Sequence, residues 1–322
     1  MNRRAKLAAK VLFQWAGGAS RIRNRFRGSV RILMYHRFPP ESRLEAQCVH
    51  LRKYYEPISL TEAAELLGQG TPISGHPVVI TVDDGYRDFL ENAFPVLSRH
   101  GIPATVFLTT DLPDLQSWLW VDRVTYCFKH TPLLECDLEI GERKHWLLDG
   151  DGPRREAAQS TKEAMKALPN GERLRWLDEL PRLLEVAVPA TPPPSYAPLT
   201  WEDVRMLAGR GVEFGAHTRT HPILSRLPLS DLEAEIVGSK ERIEREAEIP
   251  VRHFCYPNGT PADISEEAVR VVKANGFATA VTATPGVNVA GADLFELRRI
   301  GVAPEDDLLS FALTVAGRRI SR

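Results

Sequence analysis

Pro77-Val-Val-Ile-Thr-Val82 and the Asp83-Asp-Gly85 that follows it decide how this chain is read. The first six residues are apolar or β-branched almost without interruption, which marks a strand buried on both faces and hence a parallel sheet. Working outward, residues 86–100 read as a helix and Gly101-Ile-Pro103 as a turn. Ala104-Thr-Val-Phe-Leu-Thr109 is then a second buried strand. This is the βαβ rhythm of an α/β fold. Upstream, Arg31-Ile-Leu-Met-Tyr-His36 reads as a first strand. Leu60 to Leu67 has helical spacing, with Thr61 expected as its N-cap ahead of Glu62 and Glu65.

The rhythm stops near Asp111 and resumes near Leu199. Between them lie an aromatic-rich run from Trp118 to Phe128, a charged stretch, and a helical pattern from Gly171 to Val186. Ala190-Thr-Pro-Pro-Pro194 closes the segment as a stiff connector. A stretch this long is an embellishment rather than a loop, so a mostly helical insertion or lid is expected at about residues 112–197. Trp118, Trp120 and Tyr126 fall at helical spacing and read as the insertion's own core, not as a sugar platform. Afterwards Thr200 caps a helix over 201–209, Val212 to Ala216 is a strand, and 230–247 is a long amphipathic helix. Arg252 to Tyr256 is a strand, 264–275 a helix, and Phe277 to Val281 a further strand.

Length, 322 residues, suits two domains or one barrel with an embellishment. A hydrophobic fraction of 43% with 26% charged residues is that of a globular protein with a sizeable core. The net charge of -1 gives no electrostatic reason to expect a nucleic-acid partner. Charge is nonetheless uneven. Arg3, Arg4, Lys6, Lys10, Arg21, Arg23, Arg25, Arg27 and Arg31 crowd the amino-terminal segment with no acidic residue among them. Leu7, Val11, Leu12 and Trp15 can share one helical face there, which suits a peripheral membrane-surface helix; a solvated basic tail explains the composition equally well. Lys10 interrupts the apolar run that a signal peptide needs, and no run is long enough to span a bilayer. Cys48, Cys127, Cys136 and Cys255 are widely spaced without a CxxC pair and read as reduced thiols. The expected location is the cytoplasm or the cytoplasmic membrane surface. Oligomeric state is left open.

Two adjacent carboxylates at a strand's carboxyl end are costly to desolvate unless a metal or a cation compensates them. Such strand ends are where α/β folds build their sites. Alone, Asp-Asp-Gly is a turn. His217-Thr-Arg-Thr-His221 changes that reading, because it too follows a strand and so belongs to the same face. Two histidines four apart, taken as one helical turn, can reach one metal. With a strand-end carboxylate they make two nitrogens and one oxygen, leaving positions open for water and substrate.

At these residues the chain resembles the polysaccharide deacetylase family, the NodB homology domain of carbohydrate esterase family 4. The resemblance covers residues 30–110 and 198–302. Thr81 to Gly85 matches the family's first motif and His217 to His221 its second. Phe254-Cys-Tyr-Pro-Asn-Gly259 matches the Pro-x-Gly end of the third, and Leu33-Met-Tyr-His36 looks like the family's first strand. The resemblance implies a distorted (β/α) barrel of about seven parallel strands. The expected organisation is therefore a basic segment over 1–29 and a deacetylase barrel over 30–322, interrupted by the insertion. It also implies that Asp83 is the general base and that Asp84, His217 and His221 hold a divalent metal. A backbone N–H of the turn Tyr256, Pro257, Asn258, Gly259 would stabilise the oxyanion. Zinc suits the nitrogen-rich set, although cobalt, nickel or manganese bind similar ligands.

The chain departs from the family pattern in its third, fourth and fifth motifs. Cys255 stands where the third motif commonly has the arginine that holds the catalytic aspartate, and the fourth and fifth motifs, with an Asp-to-Trp pair and a late Leu-x-x-His, have no counterpart. Arg299, in Leu297-Arg-Arg-Ile-Gly301 after the last strand region, is expected to replace the arginine, since a guanidinium grips a carboxylate at two points. His36 is offered as the general acid. Histidines 50, 76, 100, 130, 145 and 253 read as structural or exposed. The expected activity is removal of acetyl groups from N-acetylated sugars of a polysaccharide or lipid-linked glycan. An O-acetyl esterase, another amide hydrolase, or a degenerate glycan-binding module are the rivals.

Overall fold

The computed structural model describes residues 18–115, 117–318 and 320. The strands among them, in chain order, are β1 (Arg31–Tyr35), β2 (Glu56–Pro57), β3 (Pro77–Val82), β4 (Ala104–Leu108), β5 (Glu135–Ile140), β6 (Glu142–Leu147), β7 (Glu213–Ala216), β8 (His253–Cys255), β9 (Thr279–Pro285) and β10 (Leu297–Gly301). Seven of them close a parallel barrel in the order β1, β10, β9, β8, β7, β4, β3, with β3 pairing back onto β1. Leu33 of β1 lies opposite Ile300 on one side and Ile80 on the other, which is the closure. The short β2 pairs with the start of β3. The chain is thus a distorted (β/α) barrel.

Strand parity divides the side chains. Ile32, Val79, Phe107, Cys255, Val281 and Leu297 share one interior cluster, while Leu33, Ile80, Val82, Val106 and Phe254 pack outward with the surrounding helices. Residues two apart on a strand share a face, so the interior row of Val79 continues through Thr81 to Asp83. The helix Leu60–Gly68 covers the barrel's amino end, with Leu60, Ala63 and Leu67 in the interior cluster. Its N-cap is Ser59, not Thr61. The Ser59 hydroxyl accepts from Glu62 N, and the Glu62 carboxylate reaches back to Ser59 N. A capping box outcompetes a lone threonine because it satisfies two orphan donors reciprocally. Thr61 instead bonds His253.

Between β4 and β7 the chain forms the helices Trp120–His130, Asp151–Lys166 and Asn170–Leu183 and an antiparallel hairpin of β5 and β6. They surround a cluster of their own that includes Trp120, Phe128, Leu138, Met165 and Leu180. The hairpin is absent from the sequence reading. Its strands are mostly charged and exposed, and only Leu138 and Ile140 carry the period-two burial that marks a strand. Trp120 is core as expected, whereas Trp118 and Tyr126 meet at tilted rings with centroids 4.9 Å apart and both lie against Tyr196, half-buried at the edge. Arg299 belongs to a strand, β10, rather than following the last one. The apolar helix Leu308–Ala316, also unread, packs on the barrel's outer layer through Phe311 and Val315. All four cysteines are free. No helix of the described residues is long and apolar enough to cross a membrane. The amino-terminal face of Leu7, Val11, Leu12 and Trp15 lies outside the described residues.

Candidate active site

Four loops at the carboxyl ends of the strands converge on a cavity of about 230 Å³. Asp83, Asp84, His217, His221, Arg299, His36, Tyr256 and Asn258 all line it. Chain turns this tight need unusual backbone. Asp84, Thr218, His221 and Asn258 all have positive φ, at 73°, 64°, 59° and 58°. Such conformations persist only where the surroundings enforce them, and they cluster at functional sites. Gly85 and Gly259 share the left-handed region. A Cβ at Gly85 would lie 2.6 Å from Leu108 Cδ2, and one at Gly259 would lie 2.7 Å from Ala283 N.

Asp83 sits at the top of the interior row, where Arg299 holds it. Arg299 Nη1 and Nη2 donate to Asp83 Oδ1 and Oδ2 at 2.7 and 2.8 Å. Nη1 also donates to Thr81 Oγ1, Nη2 to Cys255 Sγ, and Nε to Thr282 O, so all five guanidinium donors are used. Cys255 therefore stands beside the guanidinium. Burial by itself pushes the Asp83 carboxyl up, but the charge and hydrogen bonds of Arg299 outweigh it and hold the group well below the usual carboxylate range. Asp83 is an ionised carboxylate with a fixed orientation.

Asp84 has the opposite environment. Burial is the main reason its pKa is pushed up to about 7, with His36 opposing and Asp83 adding. His217 Nδ1 donates to Cys255 O at 2.7 Å, which fixes the tautomer and leaves Nε2 bare. Burial lowers His217 to about 4 and His221 well below its usual value, so both rings are neutral near pH 7. The Nε2 atoms of both point at Asp84 Oδ1, each at 3.6 Å, too far for a hydrogen bond. Asp84 Oδ1 is buried with no donor among the described residues. Two bare imidazole nitrogens facing an unpartnered carboxylate oxygen could hold a divalent cation, and these donor types fit one.

The segment 217–221 is not a helical turn. It is a loop, because the positive φ of Thr218 and His221 breaks any helix there. Its shape is fixed from three sides. Thr110 N donates to Thr218 O, Glu235 of the helix Leu229–Ala247 accepts from Arg219 N and Thr220 N, and the Trp120 indole donates to His221 O at 3.1 Å.

His36 follows β1 and is half-exposed, with Nε2 3.8 Å from Asp83 Oδ2. In the turn after β8, Pro257 has no N–H, Tyr256 N donates to Val281 O, and Gly259 N donates to Pro257 O. That leaves Asn258 N as the turn's available backbone donor. The side-chain Nδ2 of Asn258 is also buried without a partner. The Tyr256 hydroxyl is turned away, donating to Phe295 O. Sequence reasoning missed the far wall, where the insertion contributes Val121, Gln159, Lys162 and Lys166. The helical spacing of 159, 162 and 166 was visible; that this stripe faces the barrel was not.

The polysaccharide deacetylase family model matches residues 71–129 and 155–280. The unmatched gap holds the β5–β6 hairpin. The Bacillus subtilis (strain 168) protein named "Putative polysaccharide deacetylase YxkH" is 22% identical over 281 residues, 85% of this chain and 71% of that protein. Among solved structures, Streptococcus pyogenes deacetylase PplD in complex with acetate superposes with a TM-score of 0.60 at 16% identity, covering 90% of this chain and 99% of that one. IcaB from Ammonifex degensii superposes with a TM-score of 0.59 at 16% identity, covering 91% and 98%. At such identities these structures speak for the fold alone.

Proposed function

The chain belongs to the polysaccharide deacetylase family, and from that premise we propose that it is a metal-dependent hydrolase of the acetamide in an N-acetylated sugar. The observation that carries this reading is the pairing of a clamped, ionised Asp83 with the unpartnered donor set of Asp84, His217 and His221 in one cavity. Asp84 Oδ1, His217 Nε2 and His221 Nε2 would hold a divalent cation, which when bound would supply Lewis acidity for the bound water and the acetamide carbonyl. Zinc is proposed for it on the donor types.

Each residue then has a task. Asp83 accepts the attacking water's proton at Oδ2, the oxygen facing His36. Its depressed pKa makes it a weak base, but one that is always ionised and always aimed by Arg299. As the acetyl carbon becomes tetrahedral, Asn258 N–H donates to the oxygen that gains charge. His36 Nε2 gives a proton to the sugar nitrogen as the C–N bond breaks. The products are acetate and a free amine.

The test is acetate release from N-acetylglucosamine oligomers by metal-loaded wild type beside Asp83→Asn and His217→Ala. Loss of a general base costs about 10²- to 10⁴-fold in rate. His217→Ala should lose bound metal as well, while Asp83→Asn should keep it. Equal release by all three proteins sinks the assignment.

A further inference from the structure

The helix Asp151–Lys166 belongs to the segment between β4 and β7, yet Gln159, Lys162 and Lys166 line the catalytic cavity. Spacings of three and four residues put them on one stripe of the helix. The adjacent stripe, Ala157, Ala158, Thr161 and Met165, is buried. Rotating the helix to withdraw the lysines would therefore expose its own core contacts.

The charges on this wall are poorly balanced. Lys162 is half-buried, and burial lowers its pKa while Asp122 pulls the other way. Among the described residues, its only hydrogen bond is a long one, 3.4 Å, to Thr125 Oγ1, and no carboxylate oxygen of theirs lies within 4.0 Å of it. Asp122 is engaged elsewhere, accepting from the Tyr86 hydroxyl at 2.6 Å and facing Arg37 Nη2 at 3.8 Å. Lys166 pairs with Glu163 Oε1 at 3.1 Å, but Glu163 is mostly exposed, so solvent screens that pair. In the same cavity, Asp83 is already paired with Arg299. An ammonium withdrawn from water without a counter-charge is costly until an anion arrives. Lysine is a mobile point charge suited to phosphate and carboxylate alike.

We propose that Lys162 and Lys166 form a subsite for an anionic substituent, phosphate or carboxylate, borne by the acetylated sugar close to its acetamide. This deepens, and rests on, the deacetylase reading of the cavity. It assigns to the insertion the choice of substrate among acetylated glycans.

Binding tests it without turnover. Glucose 1-phosphate, glucuronic acid and glucose carry no acetyl group and differ mainly in charge. Calorimetry on the metal-loaded wild type should show at least one of the two anionic sugars binding about tenfold tighter than glucose in about 0.05 M salt. The gap should shrink in about 0.5 M salt. It should vanish in the Lys162→Gln/Lys166→Gln double variant and persist in Lys162→Arg/Lys166→Arg, with circular dichroism confirming that both fold. Which anionic sugar is preferred identifies phosphate or carboxylate. Equal binding of charged and neutral sugars, or a preference that survives the glutamine pair, overturns the subsite. Acetate release from N-acetylglucosamine 1-phosphate and from N-acetylglucosamine is then measured separately. Anion preference with no release from either upholds the subsite and refutes the deacetylase reading. Release without anion preference does the reverse.

Discussion

Both mouths of the barrel carry histidine and carboxylate side chains and end up with opposite properties. At the amino mouth, His253 Nε2 meets Thr61 Oγ1 and its Nδ1 meets Thr279 Oγ1, while Glu213 Oε2 accepts from Thr105 Oγ1 and Leu60 N. The histidine there has both nitrogens partnered under a covering helix. At the carboxyl mouth, Asp84 Oδ1, His221 Nδ1 and Asn258 Nδ2 are buried without partners, around an open cavity. A saturated polar network stabilises and specifies packing, whereas an unsaturated one raises the energy of the site until a ligand completes it. Residue type does not separate the two; satisfaction of hydrogen bonds does.

The sharpest way to break this contrast is Arg299→Ala. It leaves Asp83 buried and uncompensated, as removing one partner of any buried ion pair does, at about 3–5 kcal/mol of folding stability by urea unfolding. Acetate release should collapse while metal content, measured on the same sample, stays at the wild-type level. Unchanged turnover would show that Arg299 does not serve Asp83.

At the amino mouth the expected signature is pH-dependent stability instead of activity. Burial lowers His253 to about 4 in the folded state against its ordinary 6.5. A depressed folded-state value means that stability is fully present above about pH 6.5 and is lost as pH falls toward 4, because the unfolded chain binds the proton first. The loss is on the order of 3 kcal/mol. His253→Gln should flatten that part of the pH–stability curve and leave acetate release at pH 8 close to wild type. A curve identical to wild type would remove His253 as its source.

The smallest effect is expected where the insertion touches the histidine loop. Trp120→Phe keeps an aromatic ring but deletes the donor to His221 O. Supporting contacts of this kind typically cost about 10- to 100-fold in metal affinity, and this one, acting through a backbone carbonyl, belongs at the low end. A competitive chelator titration reads it; wild-type affinity would mean that Thr110 and Glu235 suffice to hold the loop.

Much of the carboxyl mouth was legible in the chain. Val79, Thr81 and Asp83 alternate along an apolar strand, and the histidines lie four residues apart after another, so both groups fall at strand ends by local periodicity. Arg299 could be named only because a carboxylate with no motif arginine needs some partner. What was misread was also local. Thr61 lost the cap to the reciprocal Ser59–Glu62 box, His217–His221 is a strained loop rather than a turn of helix, and the charged β5–β6 hairpin carries too little apolar alternation to register.

By itself, then, the sequence determined six of the seven parallel barrel strands, their order of appearance and the residue types at their ends, because burial periodicity and turn chemistry act over a few neighbouring residues. Only the tertiary structure decided which ends meet. Closing β10 onto β1 and β1 onto β3 brings Arg299 to Asp83 across 216 residues of chain, and packing the insertion's core turns Lys162 and Lys166 toward the cavity. Contacts of that separation depend on which faces must be buried together, and no local pattern along the chain encodes that choice.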